Sequence, residues 1–327
     1  MWDFNLGAAL GLMARTMPFI LLRMVVYFGV ALGYVLMSGT GAGIGYGIGT
    51  LGDEGMRISA TFWGGAIGFG LFGAIMYWAR EFILYLVKAG HIAVLVALID
   101  DKPVVGGRAQ IDLATAEVKA RFGQASALFG IDQLIKGVIR AITGLVRGVL
   151  TVLPLPGARQ IAGILHAFLR VAVGFIDEVI LAHAIRTRAA NPWASAQEAL
   201  VLYGQNYKVM LKNAAWLAVI IYGLSFVVFL LMLAPAALVV YLMPGAWAAG
   251  GVIFALLFAW SVKAALLEPL AVACLLQVYF KVTEGQSPDP AWDARLEQMS
   301  GKFRKLRDQA VGHGKTAAPE AGNLSRV

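Results

Sequence analysis

Apolar residues fall in four long runs, and polar residues gather between and after them. Residues 18–38 hold a single charge, Arg23, in a run of about 20 residues, the length a helix needs to cross a bilayer. Arg23 lies near the start of that run, where its stem predicts snorkelling to the interface. A second run predicts a span over 61–78, but apolar character continues to Ile99, far beyond one crossing. There Arg80, Glu81, Lys88 and His91 share about 100° of helical arc, so the second half reads as an amphipathic helix. A third span is predicted over 214–234, with Pro235 placed to kink it. The last run starts near Ala246 and reaches Phe280; Glu268-Pro269 divides it into a span over 246–266 and an interfacial helix.

The segments between these runs have their own patterns. Residues 2–16, with Trp2, Phe4, Leu6, Leu10 and Met13, predict a short helix lying on the membrane. No removable signal segment is expected, because Asp3 stands where a basic flank would be. Glycine occupies every odd position from 39 to 49. As a helix this stretch sets Gly41, Gly45 and Gly49 on one line and Gly39, Gly43 and Gly47 on another, and Gly64 and Gly68 follow in the next run. Such small-residue series serve close helix packing, here within the chain or between subunits. Residues 100–107 predict a turn and 111–124 a modest amphipathic helix.

In the middle of the chain, residues 127–153 read as an apolar helix with Lys136, Arg140 and Arg147 on one side, stopped by Leu153-Pro154-Leu155-Pro156-Gly157. The helix that follows carries Arg159, His166, Arg170, Asp177 and Arg188 within about 40° of one another. Two apolar arms joined by an uncharged tip predict a re-entrant hairpin in which Arg140 faces Arg170 and Arg147 faces Gly163. Asn191-Pro192 ends this hairpin, and Ser195 with Glu198 forms the pattern of a capping box for a helix over 196–212. After a linker at 284–290, Trp292, Leu296, Met299, Phe303, Leu306 and Ala310 recur at helical spacing opposite Lys302, Arg304, Lys305 and Arg307. That pattern predicts a short coiled coil or a membrane-surface helix, followed by a disordered tail.

The expected fold is an all-α polytopic membrane protein: four transmembrane helices, a re-entrant or interfacial helical hairpin, and amphipathic helices. Its expected segments are an interfacial helix over 1–17, a first membrane hairpin with a Gly-rich turn over 18–99, a cytoplasmic or re-entrant section over 100–190, a second membrane hairpin over 191–283, and a cytoplasmic helix and tail over 284–327.

Composition agrees with this class. Hydrophobic residues make up 59% of the 327 positions and charged residues 14%, far from the balance of a soluble domain. The net charge of +8 would suggest nucleic acid if the basic residues formed one patch, but they lie at the ends of the apolar runs. Fifteen Lys and Arg lie between Arg80 and Lys212 and eight follow residue 280, against one in 39–60 and none in 235–246. The positive-inside rule then sets both termini and the long middle in the cytoplasm of a bacterial-type inner membrane.

The candidate chemistry is sparse. One cysteine and four scattered histidines give no metal cluster, and no nucleophile–base set or nucleotide-binding loop is present, so neither catalysis nor a cofactor is expected. Lys263 and Glu268 are five apart, a poor spacing for a pair within one α-helix; both are expected near the cytoplasmic interface, with a coupling-ion role as the alternative. The candidate ligand site is the basic seam Arg140, Arg147, Arg159, His166 and Arg170 with Asp177, since such charges in an apolar setting must face partners or an anionic ligand. Gly41, Gly45, Gly49, Gly64 and Gly68 are the candidate packing or oligomer residues. The expected function is channel- or transporter-like passage of a small anionic solute or ion by a homo-oligomer. The alternative is a scaffold that holds anionic lipid, or a cytoplasmic protein through residues 291–311.

Overall fold

The computed structural model describes residues 2–104, 106–121, 131, 134–135, 137–138, 176–242 and 250–317, with side chains outside the description at 78–86, 118–121, 176–177, 250 and 314–317. All regular structure among them is helical. In chain order the helices are α1 (Leu6–Arg15), α2 (Met17–Gly49), α3 (Glu54–Ile99), α4 (Arg108–Arg121), α5 (Ile176–Thr187), α6 (Pro192–Gln205), α7 (Tyr207–Leu242), α8 (Gly250–Val262), a π-turn at Lys263–Leu267, α9 (Glu268–Thr283), α10 (Pro290–Met299) and α11 (Gly301–Ala317). Four stretches are long and apolar enough to cross a membrane: Met17–Gly49, Glu54–Tyr77, Tyr207–Leu242 and Gly251–Thr283.

The consecutive segments expected from sequence regroup in space into two compact units. One consists of Met17–Lys88 and Ile220–Pro269; the other of Met1–Thr16, Ala89–Val219 and Leu270–Val327.

In the first unit the Gly-rich stretch is helix, not turn: α2 runs unbroken to Gly49, and the reversal occupies only residues 50–53. Glycine is a poor helix former, so this helix needs a compensating gain, and the gain is contact with α3. A Cβ built on Gly41 would collide with the Gly64 carbonyl, one on Gly45 with the Ala60 carbonyl, and one on Gly68 with the Met37 carbonyl. At Gly49 the obstacle is the Arg57 Cα. The two backbones touch where side chains would hold them apart. These five glycines are therefore used inside one chain, between α2 and α3, while Gly43 and Gly47 meet nothing within 4 Å. Nearer the start of α2, Gly33 leaves room for the Phe72 ring, and Tyr34 lies 4.7 Å from Phe69 and 4.8 Å from Phe72.

The other face of α2 packs antiparallel to α8 and the π-turn. Val35 and Ala42 share a buried cluster with Ala236, Phe254 and Ala255, and Tyr27 shares one with Ala264 and Ala265. Pro235 lies inside α7, which continues through it to Leu242.

The second unit surrounds α6. Its first residues are capped by Asn191, whose Oδ1 accepts from the amides of Trp193 and Ala194, with Pro192 in the first turn where a missing N–H costs nothing. The cap lies four residues before Ser195, which is instead buried and hydrogen-bonded to Thr187 at 3.2 Å. α6 packs on α5, α10 and α11, and Leu296, Phe303 and Leu306 are fully buried. The apolar stripe of 291–311 is thus covered by the chain itself, which overturns the free coiled-coil and membrane-surface readings. Gly204 makes the space: a Cβ there would lie 3.1 Å from the Trp292 ring. Asn191 closes the arrangement by donating to the Ala310 carbonyl at 2.7 Å.

The N-terminal segment is pinned in this unit. Asp3 accepts from Asn213 Nδ2 at 2.7 Å and Lys212 Nζ at 2.6 Å, and its own amide donates to Asn213 Oδ1. The Lys212 hydrogen bond, followed by that from Asn213, holds the Asp3 carboxyl below its ordinary pKa. Trp2 stacks on Phe4 and meets Trp216 edge-on at 5.6 Å. At the end of α1, the Thr16 hydroxyl donates to the Leu12 carbonyl and accepts from buried His91 at 3.0 Å.

Candidate functional site

The π-turn gives the first unit its chemistry. Pro269 has no N–H to send to Ala265 and would crowd that carbonyl in a regular helix. The helix widens by one residue instead of breaking: the Glu268 N–H bonds to the Lys263 carbonyl, five residues back. In α-geometry that N–H would go to Ala264, whose carbonyl is now available to another donor. Arg23 takes it, through Nη2 at 2.6 Å and Nε at 3.2 Å. At 2% exposed, Arg23 points into the protein, not toward an interface as sequence reasoning predicts.

The same turn changes the arithmetic of spacing. In an α-helix residues five apart diverge by about 140°. A turn closed by i→i+5 bonds sets residue i+5 nearly above residue i, and Lys263 Nζ accordingly lies 3.2 Å from Glu268 Oε1. Lys88 Nζ, from α3, lies 3.7 Å from Glu268 Oε2, and Arg23 Nη2 lies 3.8 Å from the same oxygen. Three cations from three helices thus converge on one carboxylate. The guanidinium also stands 5.8 Å from the centre of the Tyr27 ring, which packs edge-on against Trp260 at 5.2 Å. Burying charge is costly unless each member is paired and hydrogen-bonded, so the π-turn carbonyl and the carboxylate together make this arrangement tenable.

Of the seam expected from sequence, Arg140, Arg147, Arg159, His166 and Arg170 lie outside the described residues, as does the side chain of Asp177, whose backbone is in α5. Around Glu268 the sequence offers Lys263 and Glu268 as a coupling-ion pair, and does not show that Arg23 and Lys88 join them. The centre's signal was present in the lone charges of apolar runs, Arg23 and Lys263, and in Pro269 following a glutamate in the last run.

The second unit holds a separate buried group. The Tyr279 hydroxyl contacts His183 Nδ1 at 3.1 Å, while His183 Nε2 finds no hydrogen-bond partner among the described residues and lies 4.0 Å from Glu198 Oε1. Nearby, Arg186 pairs with Asp100 at 2.8 Å and lies 4.2 Å over the Phe280 ring. Burial, with the Arg186 charge second, lowers the His183 pKa to about 4 from 6.5. The folded protein therefore binds fewer protons than the unfolded chain between these values. Stability from this group is complete above about pH 6.5 and is lost as pH falls toward 4, by about 3 kcal/mol. The thermal midpoint in detergent is expected to drop across that window, and His183→Phe is expected to flatten the drop. An unchanged acid limb in the variant would show that another group causes it.

The fold points to a class: among the described residues all regular structure is helical and four helices are long and apolar enough to cross a membrane, as in a polytopic membrane protein. No family model, curated protein or solved structure matches it, so its residues carry the functional argument.

Proposed function

We propose that this chain is an integral inner-membrane protein that passes a small anionic solute or ion, with the centre at the π-turn as the point of recognition. The observation that carries this reading is the convergence of Arg23, Lys88 and Lys263 on the single carboxylate of Glu268. Even with Lys88 left out of the count, two cations face one anion. A positive excess at a distorted turn of a membrane helix is suited to an anion, because charge in the bilayer is retained where a partner or ligand repays its cost. Both termini are assigned to the cytoplasm, supported by the fifteen Lys and Arg between Arg80 and Lys212.

Flux of sulfate and chloride into proteoliposomes tests the proposal. Uptake above that of empty liposomes is expected, with Lys263→Ala reducing it by about tenfold, the size of one lost charge contact of roughly 1.4 kcal/mol. Absence of flux, or flux indifferent to this substitution, sinks it.

A second reading is favoured by one observation: Lys88 and Lys263 are 29% and 26% exposed, within reach of a lipid headgroup. On this reading the protein is a scaffold that retains anionic lipid. It predicts that phosphatidylglycerol copurifies with the protein and is lost from the Lys88→Ala, Lys263→Ala double variant.

A further inference from the structure

We infer that Glu268 is a tethered counter-anion occupying an oxyanion site, so that an oxyanion binds there together with a proton taken up by the Glu268 carboxylate. The inference rests on the reading of this centre as an anion site and adds the ligand's chemistry and its coupling to protons.

The carboxylate marks out the ligand by imitation. Its two oxygens face different cations: Oε1 accepts from Lys263 at 3.2 Å, and Oε2 stands 3.7 Å from Lys88 and 3.8 Å from Arg23. A group that presents two oxygens from one centre, such as a phosphate, sulfate or carboxylate, reproduces that division, whereas a halide offers a single point. The donors differ in availability. Arg23 is buried and bound through Nε and Nη2 to the Ala264 carbonyl, so it holds the turn in place. Lys88 and Lys263 are partly exposed, and the flexible stem of Lys263 lets its ammonium group turn toward an incoming anion.

Proton coupling follows from the same geometry. The charged groups facing Glu268 among the described residues are Arg23 from α2, Lys88 from α3 and Lys263 from its own helix. An oxyanion drawing on the two lysines must sit within a few ångströms of the ionised carboxylate, and like charges at that range oppose each other strongly away from bulk water. A proton added from solvent to one Glu268 oxygen removes the repulsion and converts an acceptor into an O–H donor that can bond the ligand. No other bond is made or broken. Thermodynamic linkage makes the effect reciprocal: the anion favours the proton, and the proton favours the anion.

Calorimetry on the full chain in phosphatidylcholine nanodiscs, with sulfate as the probe because it keeps its charge across the neutral and weakly acid range, tests this. Sulfate affinity is expected to rise by about tenfold or more on acidification, with net proton uptake seen by comparing buffers of different ionisation enthalpy. Glu268→Gln is expected to bind at the acid-limit affinity at every pH. Should that variant fail to fold, the wild-type proton uptake alone decides. Sulfate binding with no pH dependence and no proton uptake overturns the inference and leaves the anion site standing. No sulfate binding at any pH overturns both. Nanodiscs containing phosphatidylglycerol separate the sources of the ligand: weakened sulfate binding there assigns the site to a lipid headgroup, and unchanged binding assigns it to a free solute, each with the proton linkage retained.

Discussion

Arg23→Met is expected to lower stability by about 3–5 kcal/mol, the usual cost of removing one partner from a buried charged contact. The guanidinium is 2% exposed and supplies both hydrogen bonds to the Ala264 carbonyl, which the π-turn has taken out of the helical ladder. Methionine fills much of the volume but offers no donor, so the carbonyl is left buried without this partner and Glu268 loses one of three cations. Arg23→Lys should recover only part of the loss, because an ammonium is a point charge and cannot reproduce the fork of Nε and Nη2. Thermal unfolding in detergent, followed by tryptophan fluorescence, measures both. A methionine variant as stable as the wild type would mean that Arg23 does not hold the turn.

The comparable effect in the same unit comes from its glycines. Gly41→Val and Gly64→Val each place a branched side chain against a backbone carbonyl of the facing helix, and backbone cannot rotate away as a side chain can. Overpacking of this kind costs about 3 kcal/mol or more where neither element can shift, and the expected result is protein that is not recovered as a single species. Gly43→Ala is the matched control. It faces open space on the same helix and should be neutral or stabilising by about 0.5–1 kcal/mol, since alanine is the better helix former. Equal behaviour of Gly41→Val and Gly43→Ala on size-exclusion chromatography would remove the glycine contact as the basis of the α2–α3 pairing.

The helical class and the four long apolar helices were legible because they depend on run length and local pattern, which the sequence displays directly. The Gly-rich stretch was harder. Its residues oppose helix individually, and only contact with Ala60, Gly64 and Gly68 of α3, distant in sequence, makes helix the better state. The pairing of Lys263 with Glu268 is hidden in the sequence for a different reason. The 100° per residue of an α-helix does not hold across a π-turn, and this π-turn is favoured by Pro269 and by a donor 241 residues away. In the C-terminal section the apolar positions Leu296, Phe303 and Leu306 were identified, but a stripe says that it must be covered without saying by what.

The cover that α11 provides for α6 also sets a timetable for synthesis. About 100 residues separate the end of α6 at Gln205 from the start of α11 at Gly301. At about 5–20 residues per second, the face of α6 that α11 covers waits roughly 5–20 s for its permanent neighbour to emerge from the ribosome. During that interval two of the four long apolar helices, Tyr207–Leu242 and Gly251–Thr283, are made and must enter the bilayer. Insertion thus precedes completion of the α6 packing, and a chain that stops before residue 290 leaves that packing permanently open to chaperones and proteases.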